Sequence, residues 1–196
     1  MHTQYREKAF ARFVEIYATE TEKAYAAALA ARGDTMRRED MRALASIFSS
    51  LCQKAACMQK DGALGEVKDV CFSFLHTFLP EGKGVYRIDI RDDDWLTQER
   101  ECAAYWSAAF AFEPFFSVFA EQKQRAFREI SYIGGIDMDH LAFYMANDRP
   151  RKLADAAIET RAPVLTAFDA YARLRKADGC RFSLGEYRDE TRVIHR

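Results

Sequence analysis

Along the first third of the chain, apolar side chains recur at helical spacing. Phe10, Phe13, Val14, Tyr17, Ala24, Tyr25 and Ala28 form one stripe, with Glu and Lys opposite, and predict a helix over about residues 3–32. Gly33 is placed to end it in a left-handed conformation, with Asp34 or Thr35 capping the next helix. A second stripe follows at Met41, Leu44, Ile47, Phe48, Leu51, Cys52, Ala55 and Met58, up to Asp61-Gly62. A third, Leu64, Val67, Cys71, Phe74, Leu75 and Phe78, stops at Pro80. Three amphipathic helices with short turns predict an antiparallel bundle.

The period then changes. Pro80 to Gly84 is a turn cluster, and residues 85–90 (Val-Tyr-Arg-Ile-Asp-Ile) alternate in the manner of a strand. Asp92-Asp93-Asp94 opens an expected fourth helix running through Cys102, Tyr105, Trp106, Ala109 and Phe110 to about Phe112. Pro114 suits the first turn of a fifth, carrying Phe115, Phe116, Phe119, Ala126, Phe127 and Ile130 as far as Gly134-Gly135. A short helix is expected over Met138 to Ala146. A longer segment over 151–177 follows, split or kinked at Pro163 and ended by Asp178-Gly179. In the tail, Phe182/Leu184 and Val193/Ile194 read as two strands around a turn. A lone strand leaves backbone groups unpaired, so the tail is expected to pair with residues 85–90.

The expectation is therefore a mainly α fold: one domain over residues 1–196, a bundle of six or seven helices. A small antiparallel sheet would be built from residues 85–90 and the C-terminal tail.

Composition sharpens this in three places. Hydrophobic residues at 49% and charged residues at 30% place the chain in the globular range. Net charge is −1, so the excess of clustered Lys and Arg that phosphate backbones require is missing, and nucleic acid is not an expected partner. The charge is segregated, +3 over residues 1–60, −7 over 61–145 and +3 over 146–196, which suits complementary parts of one fold. The most apolar stretch, Tyr105 to Ala120, contains Glu113 and Pro114 and is too short for a bilayer, so no membrane association is expected. Five cysteines, an odd number mostly inside apolar patterns, point to free thiols in a reducing, cytoplasmic setting.

The motifs that carry chemistry are few. Cys52 and Cys57 are five apart, as are Cys71 and His76, which turns each pair about 140° round a helix. That spacing does not make a zinc knuckle, so no metal is expected. Asp92-Asp93-Asp94 has the composition of a cation site, and equally of an N-cap with a dipole-complementing first turn. Asp137-Met138-Asp139-His140 places an imidazole beside carboxylates with nothing to complete a triad. Gly134-Gly135 lacks the pattern of a phosphate loop.

The densest segment is Gly185-Glu186-Tyr187-Arg188-Asp189-Glu190-Thr191, beside an expected strand. If the tail pairs with 85–90, these groups approach Arg87, Asp89 and Arg91. The expected ligand site is accordingly Arg87, Asp89, Arg91, Asp92, Glu186, Tyr187, Arg188 and Asp189, with Tyr144 a further contributor and no cofactor. A salt-bridge network fastening the tail to the body is the first meaning of these residues, and a pocket for a small polar ligand the sharper alternative. Two functional classes follow: a non-enzymatic binding or protein-interaction module, partnered by another protein or by itself; and an enzyme or small-polar-ligand domain using that carboxylate and arginine site.

Overall fold

A computed structural model describes residues 2–95, 100–131 and 133–196. The chain opens with α1 (His2–Phe13), a π-helical turn (Val14–Ala18) and α2 (Thr19–Lys60). Strand β1 (Val67–Leu75) follows, then a 3₁₀ turn (His76–Glu81), β2 (Val85–Arg91) and β3 (Ala103–Ser107). Two helices, α3 (Ala109–Glu129) and α4 (Gly135–Thr166), and a single turn, α5 (Asp169–Ala172), lead into β4 (Lys176–Glu186) and β5 (Thr191–His195).

The five strands form one mixed sheet in the order β3-β2-β1-β4-β5. β1 runs antiparallel to β2 and parallel to β4, and the two outer pairs are antiparallel. This overturns the expected bundle with a small antiparallel sheet. Residues 85–90 lie in a strand and the tail supplies two more, but β1 stands between them, so segment and tail never pair.

The difference arises at residues 67–75. As the central strand, β1 is covered on both faces, and Val70 to Phe74 are all buried. Burial on both faces makes the alternation of Asp69, Cys71 and Ser73 with Val70, Phe72 and Phe74 faint, and the same run also matches a helical stripe. The fourth expected helix is corrected in the same way. Part of it, residues 96–99, lies outside the described residues; Ala103–Ser107 is strand, and helix begins only at Ala109.

Helix breaks are fewer than the turn residues predict. Gly33 lies within the 42 residues of α2, and Pro114, Pro150 and Pro163 lie within α3 and α4. Asp178-Gly179 is not a terminator but an irregularity inside β4. Gly179 has φ 75°, and the register to β1 shifts between Val67 and Asp69.

Strand alternation divides the sheet into two unlike faces. Val70, Phe72 and Phe74 of β1, Tyr86, Ile88 and Ile90 of β2, Trp106 of β3, and Phe182 and Leu184 of β4 are buried together. They meet the helices: Phe182 packs on Phe48 of α2 (ring centroids 5.9 Å apart) and Phe74 stacks on Phe112 of α3 (5.7 Å). The opposite face carries the charge.

Candidate functional site

Register sets three polar rows across that second face. Arg181, Asp69 and Arg91 are paired across β4, β1 and β2; Ser183, Cys71 and Asp89 form the next row; Gly185, Ser73, Arg87 and Tyr105 form the third. Despite their polarity, Arg87, Asp89, Arg91, Cys71, Ser73 and Ser183 are all buried. Ionic groups out of water must be paired, and these are.

Asp89 is the centre. Arg87 Nε donates to both its oxygens, at 2.9 and 3.1 Å, and Arg87 Nη2 to Oδ1 at 2.8 Å. Arg91 Nη2 reaches Asp89 Oδ2 at 3.3 Å. Arg87 is also paired with the exposed carboxylate of Glu101 at 2.9 Å. Burial by itself lowers an arginine pKa, but Asp89 and Glu101 more than offset it and leave Arg87 raised. Two aromatic rings complete the enclosure. Tyr187 lies 5.0 Å from the Arg87 guanidinium carbon and Trp95 lies 4.0 Å from that of Arg91. Such cation–π contacts contribute roughly 0.5–2 kcal/mol each. Arg91 remains under-used. It shares its one carboxylate with Arg87, and its buried Nε meets no acceptor among the described residues.

Around Arg91 opens a recess of about 730 Å³, walled by Lys68, Asp69, Asp92, Asp93, Trp95, Arg181, Glu186, Arg188, Asp189 and Thr191. Most of its carboxylates are already engaged. Asp92 accepts the Gly65 N–H at 2.7 Å and the Asp94 N–H at 3.0 Å, so it fixes the turn after β2. Asp93 is paired with Lys68 at 2.5 Å. Asp69 accepts the Ser183 hydroxyl at 2.7 and 2.8 Å and faces Arg181 at 3.7 Å. Burial pushes the Asp69 pKa up, against the pull of Ser183 and of the Arg91 and Arg181 charges.

The turn over this face is held close by Gly185. A Cβ there would lie 2.2 Å from the Glu190 carbonyl oxygen and 2.8 Å from Thr191 Cα, which are backbone atoms of the returning chain. Arg188, at the turn's apex, has φ 61°, a left-handed conformation that costs a non-glycine residue roughly 1–2 kcal/mol. Its guanidinium lies 5.3 Å from the Tyr187 ring and has no carboxylate partner among the described residues.

The expected site residues thus fall into two groups. Arg87, Asp89, Arg91, Asp92, Tyr187 and Arg188 are brought together on the polar face. Asp189 lines the same recess, with its carboxylate turned to the Glu190 N–H at 2.8 Å. Glu186 also lines the recess, but its carboxylate is turned away from it. Two residues beyond Leu184 in strand phase, it turns to the helical side, accepting from Arg151 at 2.8 Å and meeting His76 Nε2 at 2.9 Å. The Arg151 hydrogen bond, with His76, lowers its pKa against burial. Tyr144 is also elsewhere, on α4, lining a separate 200 Å³ cavity with Tyr25 and Phe115.

Asp69, Arg181, Trp95 and Lys68 were not anticipated. Their signal was the alternation Asp69, Cys71, Ser73, hidden inside the run that matched a helical stripe. Burial pushes the Cys52 and Cys102 thiols up to about 12 and about 11, so both are inert. Among the described residues, no group of three or more His, Cys, Asp or Glu is placed to hold a metal ion, and no helix is long and apolar enough to cross a membrane. In comparisons with known proteins, no family model matches the chain, and neither a curated protein nor a solved structure matches it.

Proposed function

We propose that this protein binds a small anionic ligand, carboxylate- or phosphate-bearing, in the recess on the polar face of its sheet. The observation that carries this is the position of Arg91: it shares the Asp89 carboxylate with Arg87, which has Glu101 besides, and Arg91 Nε finds no acceptor among the described residues. At the rim of the recess the carboxylates have partners, and one cation has no carboxylate among the described residues. These carboxylates are spent on backbone N–H groups, on Ser183 and on Lys68, while Arg188 meets none among the described residues. An acidic ligand in the recess supplies an acceptor for Arg188 and for the part of the Arg91 side chain that lines it, and the Trp95 ring offers it a flat wall. Strain held at Arg188 belongs with a residue positioned for contact.

The reading is one of binding without turnover. Cys71 and Ser183, which face the same side, are 0% and 1% exposed, and burial raises the Cys71 thiol pKa. Neither is placed to attack a substrate.

Thermal-shift titration with inorganic phosphate, pyrophosphate, citrate and glutamate tests the proposal. At least one should raise Tm in proportion to its logarithmic excess over Kd. Arg188→Ala, at an exposed position, should reduce that stabilisation about tenfold in apparent affinity while leaving the unliganded Tm near wild type. Replacing Arg188 and Asp189 together with Ala overturns the reading if it lowers Tm and leaves anion binding intact: the cluster is then a fastening for the tail. Failure of every anion to stabilise the wild type also overturns it.

A further inference from the structure

The two edges of the sheet are not alike. At the β5 edge, the ladder to β4 shifts register between Phe182 and Ser183, and Arg192 is tied to Glu159 of α4. A bulge and fixed charge are the usual means of blocking further strand addition. At the opposite edge, β3 reads Ala-Ala-Tyr-Trp-Ser, with no charge, no proline and no register shift to β2.

The free groups on β3 can be assigned. Ile90 N–H donates to Cys102 C=O and Ala108 N–H to Gly84 C=O, each at 2.9 Å. In an antiparallel ladder, hydrogen-bonded pairs alternate with non-bonded ones. Cys102, Ala104, Trp106 and Ala108 therefore point their backbone groups at β2. Ala103, Tyr105 and Ser107 point theirs outward, where no described residue pairs with them. Beside this free edge runs a groove of about 360 Å³ between α2 and β3, floored by Ile47, Leu51 and Ala104. Lys54 stands at one end. Its ammonium donates to the Glu101 carbonyl at 2.8 Å and has no carboxylate partner among the described residues.

We infer that β3 is a docking edge for an extended, acidic-apolar peptide segment of a partner protein. An unpaired row of N–H and C=O groups is complementary to a β-strand, since an added strand satisfies them in register. Side chains alternate along such a strand, so every second residue drops an apolar group into the groove while its neighbours pass over Tyr105. Lys54 selects a carboxylate at the end of the segment nearest Glu101. This site is separate from the anion recess, and neither depends on the other.

Panning a phage-displayed library of short random peptides against the full-length protein tests the inference, followed by fluorescence polarisation with the selected peptides. Selected sequences should alternate apolar residues and carry Asp or Glu near one end. Ala103→Pro removes an outward N–H and leaves the β2 ladder whole, so it should weaken binding at least about tenfold without lowering Tm. Ile47→Asp in the groove should also weaken binding, beyond the loss of Tm that a charge at this core-packed position brings. Lys54→Glu, a surface change that does not threaten folding, should weaken acidic peptides about tenfold and favour basic ones. Selected peptides that bind Ala103→Pro and Lys54→Glu as well as wild type overturn the inference. So does a failure to select any peptide. Sedimentation equilibrium covers the remaining occupant: a wild-type dimer that Ala103→Pro converts to monomer would make the edge a self-association surface, and would equally overturn it.

Discussion

Asp40 accepts the backbone N–H of Phe110 at 2.7 Å, so a residue in the middle of α2 caps the first turn of α3 from 70 positions away. The cap is needed because Ala108, at the N-cap position of α3, has no side-chain oxygen to offer. The same residue's carbonyl accepts the Trp106 indole N–H at 3.0 Å, tying β3 to α2 as well. Burial raises the Asp40 pKa, against the lowering effect of the Phe110 N–H. Asp40→Ala removes the acceptor and should cost about 1–2 kcal/mol in urea denaturation. Asp40→Asn keeps an acceptor and sheds the charge, so its loss should be clearly smaller.

The acid range should show two opposed slopes. Asp69 and Asp155 both have raised pKa values, chiefly through burial, although Ser183 and the Tyr86 hydroxyl (2.6 Å from Asp155 Oδ1) pull the other way. A folded-state pKa above the unfolded one means that the native state binds the proton more tightly. That contribution is complete below the unfolded value and is lost as pH rises above about 4. Glu186 has the opposite sign. Its pKa is lowered by Arg151 and His76, so its contribution is present at neutral pH and lost as pH falls below about 4. Thermal melts from acid to neutral pH should separate them. Asp155→Asn retains an acceptor for Tyr86 and should melt progressively higher relative to wild type as pH rises. Glu186→Gln should melt lower than wild type at pH 7 and converge with it in acid.

Gly185 is fixed by approach, not by its dihedral angle. The atoms a Cβ would meet belong to the backbone of Glu190 and Thr191, which do not move without opening the β4–β5 hairpin. Gly185→Ala should therefore cost at least about 1–3 kcal/mol and strip amide-exchange protection from residues 182–195. Gly179→Ala is the useful contrast. There φ is 75° but nothing lies within 4 Å, so only conformational strain of about 1–2 kcal/mol is at stake. Protection in β5 should survive it.

What the sequence made legible follows from which physical signals are local. The pattern Val85 to Ile90 alternates because β2 has one face against the helices and one carrying Arg87, Asp89 and Arg91, and unlike faces write themselves into the sequence. β1 carries that contrast only faintly, through Asp69, Cys71 and Ser73, and Cys71 and Phe74 satisfy a helical wheel as well as a pleat. Pro150 and Gly33 punctuate on paper, but tertiary packing overrides local preference, and α4 and α2 run through them. The grouping of Arg87, Asp89 and Arg91 with Tyr187 and Arg188 was reachable because charge concentrated in two short segments. The role of β1 between them was not, since a parallel β1–β4 pairing joins residues more than a hundred positions apart and leaves no periodic trace in either. Without that strand, Asp69 and Arg181 had no reason to be read as neighbours.

Gln59 is the point where those distant segments are joined. Its amide nitrogen donates to Gly65 C=O at 2.6 Å and to Arg175 C=O at 2.8 Å, and its oxygen accepts Arg175 N–H at 3.0 Å. The side chain, only 7% exposed, thus binds the end of α2 to the approach to β1 and the start of β4. Arg175 returns the contact through its guanidinium, which donates to Gln59 C=O at 3.1 Å. Gln59→Leu matches the volume but offers no polar atom. It strips Arg175 N–H of its side-chain acceptor, while Arg175 C=O retains the Val67 N–H at 2.9 Å. Losing the partner of a buried backbone group costs about 1–3 kcal/mol, so Gln59→Leu should lose at least that much stability in urea. Gln59→Glu separates shape from hydrogen bonding. It keeps the acceptor for Arg175 N–H, loses both donations to carbonyl oxygens, and sets a carboxylate against Gly65 C=O and Arg175 C=O. At pH 7 it should be no more stable than Gln59→Leu and should recover as acid protonates it. If both variants melt with the wild type, Gln59 is not the joint between the α2 terminus and the parallel strand pair.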